Sequence, residues 1–233
     1  MGRIGVLTYN VPHRKTQDLL FRLRGKGYKF FSTTVIALPF KPWTKKTPLY
    51  PHRPTTTLMV EPQTLARRLD YHYLELDNLT QLTEAFDFIL IGGARILTKE
   101  EIGERTIINS HAGYLPYARG LDALKWAIYH NYPIGVTTHI IDAEIDRGLL
   151  IKQDTIPIYP LDTFHSIANR QYELEIEMLA NAVAKVKDIQ LKPVREDLCD
   201  DAGLIFKAPI FQRMPADKEM VMIKRLERRL ENL

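Results

Sequence analysis

A single cysteine, Cys199, among 233 residues excludes an intramolecular disulfide and any cysteine cluster that could hold zinc. Long apolar runs are missing too. No window approaches the roughly 20 apolar residues needed to span a bilayer, and the N-terminal apolar stretch is far too short for a signal peptide. A cytoplasmic setting with no membrane partner and no metal is therefore expected. Acid is scarce in the first sixty residues, which set Asp18 against eleven lysines and arginines. That segment carries +10 in a chain of +4, leaving −6 for the remainder. The asymmetry fits either an anion-facing surface, for a phosphorylated substrate or nucleic acid, or a solvated helix face. Internal repeats, low-complexity tracts and linkers are absent. With 45% hydrophobic and 26% charged residues the chain reads as one ordinary folded domain over 1–233.

Strands and helices alternate through the first 130 residues. Arg3–Thr8, Phe31–Leu38, Tyr71–Leu76, Phe86–Ile91 and Thr106–Asn109 are short, apolar or β-branched, and read as strands. Helical spacing marks His13–Lys26, Gln63–Leu69 and Leu121–His130, and Thr98 with Glu101 forms a capping box for a short helix. Prolines at 39, 42, 48, 51 and 54 break the chain into a long surface loop. Ile134–Ile141 and Leu149–Ile158 add two more strands. Asp162 is the expected cap of a long helix with apolar positions 164, 167, 168, 172, 179, 183 and 186, and a last helix starts near Ala216. This order predicts an α/β fold, a Rossmann-like doubly wound and mostly parallel sheet over about 1–160, with a helical C-terminal extension over about 161–233. Ligands of such sheets bind beyond the carboxyl ends of the strands. The loops after Tyr9, Ile91 and Asn109 all fall on that edge.

The last of these loops carries chemistry. Asn109-Ser110-His111 closes a strand, and Asp146 follows 35 residues after the histidine. A carboxamide donor, an imidazole and a carboxylate are the parts an acyl-transfer site needs. Each alone has a plainer reading: Asn109 as a turn residue, His111 as a structural histidine, Asp146-Arg147-Gly148 as a tight turn.

Asn109-x-His111-x-x-x-Leu115-Pro116-x-x-Arg119-Gly120, with Ile145-Asp146-x-Gly148 and Asp87-Phe88-Ile89-Leu90 through Arg95-Ile96-Leu97, resembles the 10-formyltetrahydrofolate-dependent formyltransferases. The resemblance runs from about 86 to 160 and is closest to the sugar N-formyltransferases. It implies a formyl donor, 10-formyltetrahydrofolate, and a catalytic trio of Asn109, His111 and Asp146. It also implies a pterin pocket lined by Arg95, Ile96, Leu97, Asp142, Ala143 and Glu144, with His139 supporting the site from behind.

The acceptor is narrowed by what is missing. The branch acting on glycinamide ribonucleotide cradles phosphate with a glycine-rich loop after the first strand. Here that loop reads Thr8-Tyr9-Asn10-Val11-Pro12-His13-Arg14, with no glycine. The transfer-RNA branch adds a C-terminal barrel domain, for which the residues after Asp162 leave no room. The amine of a nucleotide-linked amino sugar is the expectation, held by Tyr9, Asn10, Arg14, Lys15, Lys45 and Lys46, with Trp43 or Tyr50 as further stacking candidates. Alternatives are glycinamide ribonucleotide or another amine, and a basic nucleic-acid-binding protein on an inactive fold of this kind. Nucleic acid is disfavoured, because an inactive relative has no chemical need for all three trio residues. A homodimer is compatible with everything above.

Overall fold

The structure, a computed structural model, describes residues 2–28, 31–42, 47–54, 58–185, 191–199 and 205–233. In chain order it contains β1 (Gly2–Tyr9), α1 (Arg14–Lys26), β2 (Phe31–Leu38), α2 (Pro62–Arg68), β3 (His72–Glu75), a 3-10 turn (Leu79–Gln81), β4 (Phe88–Ile91), α3 (Lys99–Ile102) and β5 (Ile107–His111). There follow β6 (Arg119–Gly120), α4 (Ala123–His130), β7 (Gly135–Ile140), β8 (Leu149–Thr155), α5 (Phe164–Lys185), β9 (Lys192–Pro193), β10 (Asp197–Cys199), β11 (Ile205–Lys207), β12 (Ile210–Phe211) and α6 (Ala216–Glu231).

The main sheet has the order β3-β2-β1-β4-β5-β7-β8-β9. Pairings from β3 to β5 are parallel, and those from β5 to β9 antiparallel. Alternation explains why the parallel strands read as unbroken apolar runs, since both faces are covered. Ile4, Val6, Val35, Phe88, Leu90 and Ile108 point into a core shared with α1, α2 and α5. Their neighbours Leu7, Ile36, Ile89 and Ile107 enter a second core with the 3-10 turn and the Leu97–Ile102 segment. The chain reverses its winding at β1, whose neighbours are β2 and β4, and that switch point opens a crevice at the carboxyl ends. Among the described residues no helix is long and apolar enough to cross a membrane.

Two elements beyond residue 161, α5 and β9, belong to these layers. Helix α5 covers one face of the sheet through Leu179, Ala180, Ala182 and Val183, and β9 extends its edge. Position 186 of the expected apolar stripe lies outside the described residues. The cap of α5 differs from expectation. Thr163 Oγ1 accepts from the Ser166 N–H while Ser166 Oγ accepts from the Thr163 N–H, a reciprocal box. Asp162, one residue too early, is instead gripped by the Arg170 guanidinium, which holds its carboxyl well below the usual range.

The basic first sixty residues find their counter-charges on α5. Arg22 pairs with Glu173 and Glu177, Lys26 with Glu177, and both Lys15 and Arg53 with Glu175. Arg14 meets Asp18 and Arg3 meets Glu84. Four of these cations, Lys15, Arg22, Lys26 and Arg53, thus dock α1 and the proline-rich loop against an acidic helix face. Residues 47–54 of that loop are seated, with the Leu49 and Tyr50 N–H groups donating to Glu219 at 2.7 and 3.3 Å. Glu219 in turn pairs with the fully buried Lys125.

Candidate active site

The antiparallel pairing of β5 with β7 sets Asn109 opposite His139 and His111 opposite Thr137. Two-residue periodicity puts Asn109 and His111 on one face at the carboxyl edge, while Ser110 on the other face bonds Thr138 at 3.0 Å. The loop after His111 is pinned by β7 and β8. Thr137 Oγ1 accepts from the Leu115 N–H and donates to the Gly113 carbonyl, at 3.0 and 2.9 Å, and Gln153 donates to the Leu115 carbonyl at 2.7 Å. Gly113 cannot be anything larger. A Cβ there would lie 2.5 Å from both His111 Nε2 and the Ala118 carbonyl.

His111 and Asp146, 35 residues apart in sequence, meet. His111 Nδ1 lies 3.3 Å from Asp146 Oδ1, and both side chains are about nine-tenths buried, at 9% and 11% exposure. Asp146 adopts a left-handed backbone, φ 50°, which Asp tolerates better than most residues. The turn closes at Gly148, φ 108°, where a Cβ would collide with the Ile140 carbonyl. His111 Nε2–H donates to the Ala118 carbonyl at 2.6 Å, which fixes the ring and leaves Nδ1 facing the carboxylate. Nδ1 and the carboxylate oxygen thus face each other as two atoms that can share a proton. The Asn109 carboxamide, half-buried beside them, hydrogen-bonds to no described residue and is available as a donor.

The remaining candidates divide. His139 Nδ1–H donates to the Arg147 carbonyl at 2.7 Å, tying β7 to the residue after Asp146, and burial pushes this imidazole's pKa down. Ile96 is 68% exposed beside the crevice, whereas Leu97 is buried in the core. The Arg95 side chain is committed to Glu101 by two bonds of 2.6 and 2.7 Å. The Asp142–Glu144 turn is largely exposed, held by a Glu144 N–H bond to Asp142 Oδ1 at 2.8 Å and clasped by Arg147.

Of the expected acceptor residues, Asn10 accepts from the Phe40 N–H and donates to Glu75, so its polar atoms tie β1 to β2 and β3. Tyr9 packs edge-on against His13 and Phe40, at 5.4 and 5.2 Å. Lys15 is mostly buried, 2.8 Å from Glu175, and donates to the Ser110 carbonyl between Asn109 and His111. Arg14 is engaged with Asp18. Tyr50 packs against Phe164. Trp43, Lys45 and Lys46 lie outside the described residues.

Sequence reasoning passed over His13. Its ring lies against Gly93, so that a Cβ on Gly93 would sit 2.7 Å from it, and the two loops of the switch point close on each other there. Burial first, then the charges of Lys15 and Arg53, push His13 down to about 4, so the ring is neutral at pH 7. Its place in a loop after the first strand was the only signal available.

The formyl transferase family model matches residues 34–183. A methionyl-tRNA formyltransferase from Trichodesmium erythraeum is 29% identical over 138 residues, 58% of this chain and 40% of that protein. The chain thus spans about two fifths of the length of that curated relative. Phosphoribosylglycinamide formyltransferase from Anaplasma phagocytophilum superposes with a TM-score of 0.60 at 18% identity, over 90% of this chain and 95% of that one. The N-formyltransferase from Helicobacter canadensis, solved with folinic acid and dTDP-3-aminofucose, gives 0.58 at 17% identity, over 84% and 67%. At such identities these two share the fold. The family match runs from β2 into α5 and takes in Asn109, His111 and Asp146, so the chain belongs to the formyl transferase family.

Proposed function

We propose that this chain transfers the formyl group of 10-formyltetrahydrofolate to a primary amine, that of a nucleotide-linked amino sugar. The observation that carries the reading is the contact of His111 with Asp146 at the strand edge where Asn109 presents its carboxamide. The residues present suit a flat, hydrogen-bonding heterocycle. Ile96 offers an exposed apolar surface, and the Asp142–Glu144 turn offers backbone groups. Arg95 and Leu97 would shape that pocket through backbone, since the one side chain is paired and the other is in the core.

When bound, the folate supplies a formyl carbon whose oxygen gains negative charge as an amine attacks. Asn109 donates its carboxamide N–H to that oxygen. A proton shared by His111 Nδ1 and Asp146 stabilises the same charge and passes to the folate nitrogen as its bond to the formyl carbon breaks, and the pair is restored by the proton the attacking amine sheds. Asn109→Ala is expected to lower kcat about 10²–10³-fold, the usual worth of an oxyanion donor, with little change in stability. Steady-state kinetics beside a urea melt checks this, and turnover within a few-fold of wild type would remove Asn109 from the role.

Two observations support the acceptor class. The loop after β1 has no glycine, its Pro12 has no N–H and the Asn10 N–H is taken by the Leu38 carbonyl, which argues against a backbone cradle for a phosphate there. The Helicobacter canadensis neighbour binds an amino-sugar nucleotide on the same fold. Incubation with 10-formyltetrahydrofolate and a panel of amino-sugar nucleotides, glycinamide ribonucleotide, methionyl-tRNA and simple amines tests the proposal. A one-formyl mass gain confined to an amino-sugar nucleotide is the expected result. A gain confined to glycinamide ribonucleotide or methionyl-tRNA would overturn the acceptor.

A further inference from the structure

Three consecutive residues gather the proposed acid–base pair. The Ala118 carbonyl accepts from His111 Nε2 at 2.6 Å, Arg119 Nη2 donates to the Ile145 carbonyl at 2.6 Å, and the Gly120 N–H donates to Asp146 Oδ2 at 2.6 Å. Ala118 therefore holds the imidazole, and the short strand β6 that follows it holds the Asp146 turn through the other two contacts. That strand is braced from outside. It pairs in parallel with β12, Ile210 opposite Arg119 and Phe211 opposite Gly120, and the Leu121 N–H donates to the Phe211 carbonyl at 2.9 Å. Gly120, φ 85°, has no room for a Cβ against the Phe211 backbone. Phe211 is locked in turn by stacking on Trp126 at 4.7 Å, while Trp126 Nε1 donates to the Gln212 carbonyl at 2.7 Å. β12 lies beyond residue 183, where the family match ends.

Arg119 stands out within this clamp. It is 1% exposed and pairs with no acid among the described residues. Its Nε and Nη1 have no hydrogen-bond partner there either. A buried cation in that condition costs stability, and an apolar side chain of similar length is commonly neutral or better. Folding alone gives no reason for a guanidinium here. The hydrogen bond it does make, to the residue preceding Asp146, does give one.

We infer that Arg119 is a positioning residue for formyl transfer, holding the Asp146 turn against His111 from a strand that the C-terminal segment braces. The inference rests on the proposed role of His111 and Asp146, and its test separates the two. Arg119→Met and Arg119→Lys are compared with wild type in kcat, in both KM values, in urea melts, and in the proton NMR signal of His111 Nδ1–H. That signal reports the His111–Asp146 contact without turnover. Arg119→Met should keep or raise the urea midpoint, lose the signal and lower kcat about 100-fold, with KM values within about twofold and part of the loss recovered by lysine. In an Asp146→Asn background it should add no further loss, because both changes act on one contact. An unchanged signal and kcat, a loss confined to KM, or losses that add would overturn the inference. If the wild type formylates no amine, the proposed function falls and the NMR signal alone decides Arg119. Loss in Arg119→Met sustains the inference, and persistence ends it.

Discussion

Asp146→Asn is expected to lower kcat by roughly 10²–10⁴-fold while leaving the urea midpoint close to that of wild type. The separation follows from what the side chain does. Asparagine tolerates the left-handed backbone of the 145–148 turn about as well as aspartate. Its carboxamide oxygen can still accept from the Gly120 N–H, the bond that anchors the turn to β6. What it cannot supply is a charge 3.3 Å from His111 Nδ1. On the proposed function the pair then loses its capacity to hold and return a proton, and the reaction its positioned acid–base assistance. His111→Asn should act in the same direction, and the double variant should be little worse than either, because the two residues work as a unit. Near-wild-type turnover in Asp146→Asn, with the fold intact, would remove this pair from the chemistry.

Glu175→Gln is expected to destabilise the protein by an amount near the low end of the about 3–5 kcal/mol range for breaking a buried ion pair on one side. Glu175 is 1% exposed and carries both Lys15 and Arg53. Without it, Arg53, whose side chain is 45% exposed, can turn to water, but Lys15 at 14% cannot do so fully. The same site gives acid sensitivity with a definite sign. Burial alone would raise the Glu175 pKa, but the Arg53 and Lys15 charges outweigh it and hold it at about 2, below the ordinary 4.5. Its stabilisation is therefore complete above about pH 4.5 and fades as pH falls toward 2, and Glu175→Gln should flatten that part of the stability profile. Urea melts between pH 2 and 7 decide this. A variant as stable as wild type, with an unaltered acid limb, would contradict the account of how α1 and α5 are joined.

The elements that were legible in the sequence are those whose environment is uniform. Phe88-Ile89-Leu90-Ile91 is apolar on both faces because both faces are covered, and such a run reads as a strand with no knowledge of its neighbours. The Thr98–Glu101 capping box is a local bargain and formed as expected. β6 and β12, two residues each, exist only by pairing across 90 residues of chain, and no periodicity announces a two-residue strand. Glu175 illustrates the same limit. It lies on the buried face of α5, where a carboxylate reads as an interruption until Lys15 and Arg53 arrive from elsewhere. The basic first sixty residues left two readings open for that reason, since charge counted along the chain does not say which cations are already paired. In the site, Asn109 and His111 could be placed on one face by strand alternation, but the clamp of Ala118, Arg119 and Gly120 is a matter of contacts made across 7 residues for the first and 26 for the other two. The motif marked the arginine and glycine without saying what they hold.

The central claim is that this chain moves a formyl group from the folate to an amine through the His111–Asp146 pair. The most direct measurement follows a ¹³C-labelled formyl group from 10-formyltetrahydrofolate by mass spectrometry, with wild type and Asp146→Asn side by side on the amino-sugar nucleotide panel. The account predicts label on the amine nitrogen with wild type and almost none with the variant. Label appearing only as free formate, or equally with both proteins, would contradict it.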